Sequence, residues 1–151
     1  MEKLIERENI SENLKASNAY QQLGRLLTAL EAKGLPTETV ALISTEIEQL
    51  NAISVIDKHF VKAIQEKENR IIILIEKKHK IVPIHYYRKL WMTLGMAAFG
   101  IPLGLALGVS IGNYGMLAIG IPVGMAIGFA VGSGMDKKAF NEGRQLDFEV
   151  K

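Results

Sequence analysis

The sequence predicts an all-α protein: a cytoplasmic helical hairpin or three-helix segment, then a two-span transmembrane α-hairpin packed through glycine zippers. Three observations predict it. Apolar residues recur at helical spacing from residue 11 toward Lys80. The 46 residues between Lys89 and Asp136 include no Asp, Glu, Lys, Arg or His. Eleven of the 14 glycines in the 151-residue chain fall inside that uncharged window. Soluble domains keep their surfaces wet with charged groups, so a run of this length argues against a plain soluble globule.

The first helix is predicted over residues 11–33. Ala16, Tyr20, Leu23, Leu27 and Leu30 fall on one stripe, and Gly34 before Leu35-Pro36 supplies a stop with glycine at the left-handed cap. A second helix starts at Thr37, with Val40, Ile43, Ile47 and Leu50 on one face. Ser54–Asp57 reads as a capping-box variant, after which Ile56, Phe60, Ile64, Ile71 and Leu74 carry a stripe toward Lys80. The run Arg70–Ile75 is rich in β-branched residues and suits a strand on propensity alone. Its flanks, Gln65–Asn69 and Glu76–Lys78, favour helix, and helix is the prediction. The core of such a segment is small, so self-association or a coiled-coil-like surface for a partner is the expected supplement.

Charge changes along the chain. Residues 1–70 carry nine basic and eleven acidic side chains, a net −2, whereas 71–89 reach +4 through Lys77, Lys78, Lys80, Arg88 and Lys89 against Glu76. Residues 136–151 balance to zero. The positive excess therefore stands just ahead of the apolar window, where juxtamembrane cations belong. A nucleic-acid partner would require a basic face on the N-terminal part, which is slightly acidic; none is expected. There is no cysteine, so disulfides and thiolate metal sites are excluded. The start, Met1–Glu8, has neither the apolar core of a secretory signal nor a lipobox cysteine, and this part is expected to stay in the cytoplasm.

Leu90–Ile111 offers 22 residues and Met116–Met135 offers 20, against the roughly 20 that span a bilayer. Gly112-Asn113-Tyr114-Gly115 between them is a tight turn. Tyr86, Tyr87 and Trp91 mark the entry to the first span and Tyr114 marks the turn, as interfacial aromatics do. Tyr86, Tyr87 and Trp91, with Lys77, Lys78, Lys80, Arg88 and Lys89 on one side and Lys137 and Lys138 on the other, are the candidate contacts to lipid headgroups. Both termini are then cytoplasmic. The predicted organisation is a helical segment at 1–80, a basic juxtamembrane linker at 81–89, a hairpin at 90–135 and a cytoplasmic tail at 136–151.

The hairpin is an internal repeat: residues 95–114 and 115–134 share ten of twenty positions, including Gly-Ile-Pro. Gly100, Gly104, Gly108 and Gly112 recur every fourth residue, as do Gly120, Gly124, Gly128 and Gly132. Four residues turn a helix by about 400°, so each set forms a slowly drifting groove where another backbone can approach closely. A second small face, Ala98, Pro102, Ala106 and Ser110, with Ala118, Pro122, Ala126 and Ala130, lies about 200° away. One face suffices to pair the two spans, and the other is left for a neighbouring molecule. Pro102 and Pro122 are expected to kink both helices by removing the donors to Ala98 and Ala118. A strand reading of the same alternation fails on its glycines, its central proline and its unpaired edges in lipid.

At these residues, about 95–134, the chain resembles bacterial glycine-zipper two-transmembrane proteins. Taken whole, it is similar to small bacterial membrane proteins with a cytoplasmic helical segment. The resemblance implies membrane location and self-association, and no reaction; the expected location of this chain is the bacterial inner membrane. Many zipper proteins are exported with a signal or lipid anchor, which is not the expectation for this chain.

No catalytic arrangement is apparent. His79 and His85 are six apart across Pro83, unlike a metal pair one helical turn apart, and His59 stands alone. Glu46, Glu48, Glu66 and Glu68 read as solvated helix faces. No cofactor and no enzymatic activity are expected. The leading reading is a non-catalytic membrane protein that oligomerises or anchors through its hairpin and presents its helical segment to a cytoplasmic protein. A small oligomeric channel or membrane-perturbing effector is the alternative, since sliding Gly/Ala stripes resemble those of mechanosensitive channel pore helices. Thr93, Ser110 and Ser133 are sparse polar lining for a water path. A soluble assembly that buries the apolar window is the third and weakest reading.

Overall fold

Asn13 starts the first helix: its Oδ1 accepts from the backbone N–H groups of Lys15 and Ala16, both at 3.2 Å. The computed structural model describes residues 2–5, 7, 10, 13–53 and 58–150, and of Tyr114 the backbone alone. The predicted helix start at 11–12, the Ser54–Asp57 capping box with Ile56, and the Tyr114 ring lie outside the described residues. The described residues form five helices and no strand. These are α1 (Leu14–Ala32), α2 (Thr37–Asn51), α3 (Lys58–His79), α4 (Tyr86–Ile111) and α5 (Leu117–Asn141).

The chain divides into two compact units, residues 1–82 with 146–151, and residues 83–145. In the first, α1 and α2 each pack on α3. Leu23, Leu26 and Leu30 of α1, Ile43, Ile47 and Leu50 of α2, and Phe60, Ile64, Ile71 and Ile75 of α3 are all buried. The β-branched run at 71–75 is helical. Ile71, Ile72 and Ile75 face inward while Ile73 faces out, the pattern of a 3.6-residue repeat. The inner face of α2 is turned slightly from its predicted stripe, because Thr39 rather than Val40 is buried. Its hydroxyl lies 2.8 Å from His79 Nε2, which supplies the partner a buried hydroxyl needs. The glycine stop after α1 has the expected left-handed backbone, with Gly34 at φ 63°.

Both predicted boundaries move. Residues 81–89 do not form a linker: Val82 is fully buried in the first unit and Tyr86 already begins α4. Nor is 136–151 a tail. Asp136–Asn141 are the last turns of α5, which Gly143 at φ 67° terminates. Leu146 and Phe148 then enter the core of the first unit, and Leu146 N–H donates to Val82 O at 2.9 Å. Apolar residues six or more positions beyond the last lysine pair were invisible to a reading that followed charge.

Glu68 is not a solvated residue. It is 4% exposed, and its Oε1 accepts from Gln22 Nε2 at 2.7 Å. Burial raises its carboxyl above the ordinary value, and the Gln22 bond only partly opposes this. A raised folded-state value means that stability falls as pH rises from the unfolded to the folded value, and that the cost vanishes below the unfolded value. Glu68→Gln should therefore raise the unfolding midpoint at pH 7, and the gain should fade as the pH falls through the carboxylate range. Thermal unfolding followed by circular dichroism at several pH values checks this; no gain at pH 7 contradicts it.

Candidate functional site

Proline starts the geometry of the second unit. Pro102 has no N–H and its ring crowds the carbonyl four residues back, so the chain before it opens into a π-helical turn, Met96–Gly100. Ile101 N–H reaches back five residues to Met96 O. The extra residue brings Gly95 onto the same side as Gly100, from which five positions of plain α-helix would rotate it. In α5, Pro122 lies within a helix that runs unbroken from Leu117 to Asn141.

The two helices meet through glycine. A Cβ added at Gly95 would lie 2.9 Å from Gly128 Cα, one at Gly120 or Gly124 would lie 2.6 Å from Gly104 Cα or Gly100 Cα, and one at Gly132 2.5 Å from Arg88 Cα. Added at Gly100 or Gly104, it would meet the backbone of Ile121 at 3.0 Å or Leu117 at 2.8 Å. These are backbone contacts that cannot yield without parting the helices. Gly108 is buried as well. Seven of the eight predicted packing glycines are therefore buried, and Gly95 joins them. Gly112 does not: it caps α4 at φ 70°, with open space where a Cβ would be. Asn113 N–H bonds Gly108 O at 2.9 Å, the six-residue closure of a left-handed cap. Asn113 Oδ1 then accepts from Gly115 N–H at 2.9 Å and tightens the turn.

With backbone inside, bulk is outside. Phe99, Ile101, Leu105, Val109, Ile127 and Phe129 are all exposed. The second small face, Ala98, Pro102, Ala106, Ser110, Ala118, Pro122, Ala126 and Ala130, is exposed along its whole length. Thr93 and Ser110 return their hydroxyl protons to carbonyls four residues back, Lys89 O and Ala106 O.

The base of the hairpin carries a residue that sequence reasoning missed. His85, ahead of α4, has φ 61° and makes no capping bond with its side chain. Asp136 from α5 supplies the cap instead. Its Oδ1 accepts from Tyr87 N–H and its Oδ2 from Arg88 N–H, both at 3.0 Å, and the carboxylate is 6% exposed. An anion at two open N–H groups of a helix start is favoured by hydrogen bonding and by the helix dipole. In the sequence Asp136 is the acidic group that ends the charge-free window, one residue before Lys137, which marks a boundary and not a cap. Among the interface candidates, Lys89, Lys137 and Lys138 are exposed, Tyr86, Arg88 and Trp91 are half-buried, and Tyr87 is buried. Arg88 places its guanidinium 5.4 Å from the Phe129 ring centroid. Lys77, Lys78 and Lys80 are exposed in the first unit, where Lys78 pairs with Glu38 and Lys80 with Glu76.

The fold is thus all-helical, ending in two helices long and apolar enough, by length and composition, to cross a membrane. No family model, curated protein or solved structure matches the chain.

Two variants test the geometry. Asp136→Ala should leave the Tyr87 and Arg88 amides without acceptors, costing about 1–3 kcal/mol and accelerating their hydrogen exchange; unchanged exchange would remove the capping role. Gly104→Leu with Gly124→Leu should separate α4 from α5, read as loss of a crosslink between cysteines introduced at exposed positions near the turn. A crosslink formed as readily as in the parent would refute the glycine contact.

Proposed function

We propose that the protein is a non-catalytic integral membrane protein of the bacterial inner membrane. Its α4–α5 hairpin, closed by glycine zippers, enters the bilayer and returns, anchors the chain, oligomerises it through the exposed Ala/Pro face, and leaves both termini cytoplasmic. Its N-terminal helical unit is presented there to a protein partner.

One observation carries the reading: the hairpin is inverted relative to a soluble core, with backbone buried between the helices and Leu, Ile, Val and Phe turned outward. Water makes such a surface unfavourable, at roughly 25 cal/mol for each Å² of apolar area, whereas hydrocarbon tails accept it. The lengths agree, since 26 and 25 residues rise by roughly 35–40 Å and a bilayer core is about 30 Å thick. Ser133 Oγ is buried without a partner among the described residues, but the hydroxyls of Thr93 and Ser110 are satisfied within their own helix, as lipid requires. Those same bonds turn the hydroxyls away from any aqueous path, which favours the anchor over a channel.

The exposed Ala/Pro face is the surface left for a second copy, since small residues allow close helix approach in lipid. The protein should remain with membranes after an alkaline carbonate wash, and its mass in nanodiscs should exceed one chain. Ala106→Leu with Ala126→Leu should reduce that mass to a single chain without releasing the protein from the membrane. Release by carbonate overturns the membrane reading; a single-chain mass in the parent overturns self-association.

A further inference from the structure

The first unit holds a polar groove between α1 and α3. Lys15, Asn18, Gln22 and Arg25 succeed one another along α1 at steps of three, four and three, so they share one face. Gln65 and Glu68, one helical turn apart on α3, line the opposite wall of a cavity of about 440 Å³. That volume lies in the range of small-molecule sites.

The charges in this groove are unspent. Glu68 is 4% exposed, yet its contact is one neutral donor, the Gln22 amide at 2.7 Å. Two cations line the same cavity, but among the described residues neither Lys15 nor Arg25 forms an ion pair. A carboxylate has about four acceptor positions, and one neutral bond leaves most of them open. A carboxyl buried this deeply with one neutral partner costs stability that a glutamine would not, and it leaves acceptor positions for a cationic ligand.

We propose that this groove binds a small zwitterion of the α-amino acid class, its ammonium on Glu68 and its carboxylate on Arg25. The arrangement selects both ends. A simple cation meets Glu68 but is repelled by Lys15 and Arg25, and a simple anion meets the arginine but is repelled by Glu68. A molecule with opposite charges a few ångströms apart satisfies both, and Arg25 stands one helical turn along α1 from the Gln22 that marks the position of Glu68. Asn18 and Gln65 provide neutral donors and acceptors for a side chain. Arginine rather than lysine is the carboxylate partner because its planar fork pairs with both oxygens. The inference rests on the first unit alone and is independent of what the hairpin does.

Isothermal titration calorimetry on the full chain in detergent micelles tests it, with each of the common L-amino acids as a separate probe. Propionate and propylamine serve as one-ended controls. At least one amino acid should bind, with either control weaker by about tenfold or more. Glu68→Gln and Arg25→Met should each weaken the binding by about tenfold or more, with helical content unchanged by circular dichroism. Glu68→Gln is expected to be at least as stable as the parent at pH 7, and the exposed Arg25→Met gives a second, independent comparison. No binding by any amino acid overturns the proposal. So does a control that binds as well as the zwitterion, or affinity that survives both substitutions.

Discussion

Close approach of two backbones, α4 against α5, is the constraint on which the second unit depends. It requires glycine at every crossing, because a single Cβ at Gly120 or Gly124 would lie within 2.6 Å of the facing chain. Glycine in a helix costs about 1 kcal/mol relative to alanine. Helices built this way therefore need help from their ends. The left-handed cap at Gly112 closes one end of the hairpin, and the Asp136 carboxylate on Tyr87 and Arg88 closes the other. Once the glycines occupy the inside, the large apolar side chains have nowhere to go but outward. The apolar exterior is thus a consequence of the contact and not a separate feature.

The same constraint explains why one half of the repeat carries a π turn and the other does not. The halves share ten of twenty residues, and each has a proline after Gly-Ile. Gly95 heads the first half and must face α5, yet it stands five residues before Gly100, out of step with the four-residue rhythm. Widening Met96–Gly100 by one residue restores the alignment, at the place where Pro102 already weakens the α-helical ladder. Its counterpart, Gly115, falls in the turn beside Asn113 and has no helix to face, so α5 needs no such correction. The expected pair of proline distortions is therefore resolved in α4 as a register shift.

Much of this was legible in the sequence, for physical reasons. Periods of four in glycine and of 3.6 in Leu and Ile are local patterns, and they place the helices and the buried faces directly. The β-branched run at 71–75 was legible only through its flanks. What stayed hidden was tertiary. Nothing near Asp136 says that it caps a helix nearly fifty residues earlier, and its charge made it look like a boundary. Leu146 and Phe148 sit in a mixed-charge segment whose apolar residues show no helical period, and only the first unit offers them a core. Glu68 fits a solvated run, Glu66 to Asn69, and only the packing of α1 against α3 reveals that it alone of that run turns inward.

The return of the chain bears on topology independently of hydropathy. Val82 and Leu146 lie at the two ends of the inserted hairpin, and they are joined by a backbone hydrogen bond and buried in one core. A segment that leaves and rejoins one folded unit at adjacent points must come back to the side from which it left. In a bilayer that requires an even number of crossings, and the minimum of two matches the two apolar helices between those points. A single crossing would place Leu146 and Phe148 across the membrane from the core they complete. It would also separate Asp136 from the helix start it caps. In the membrane reading proposed here, packing of the first unit and capping of the second each demand the same two-span path, and charge flanking the spans is left to choose only which side that path begins on.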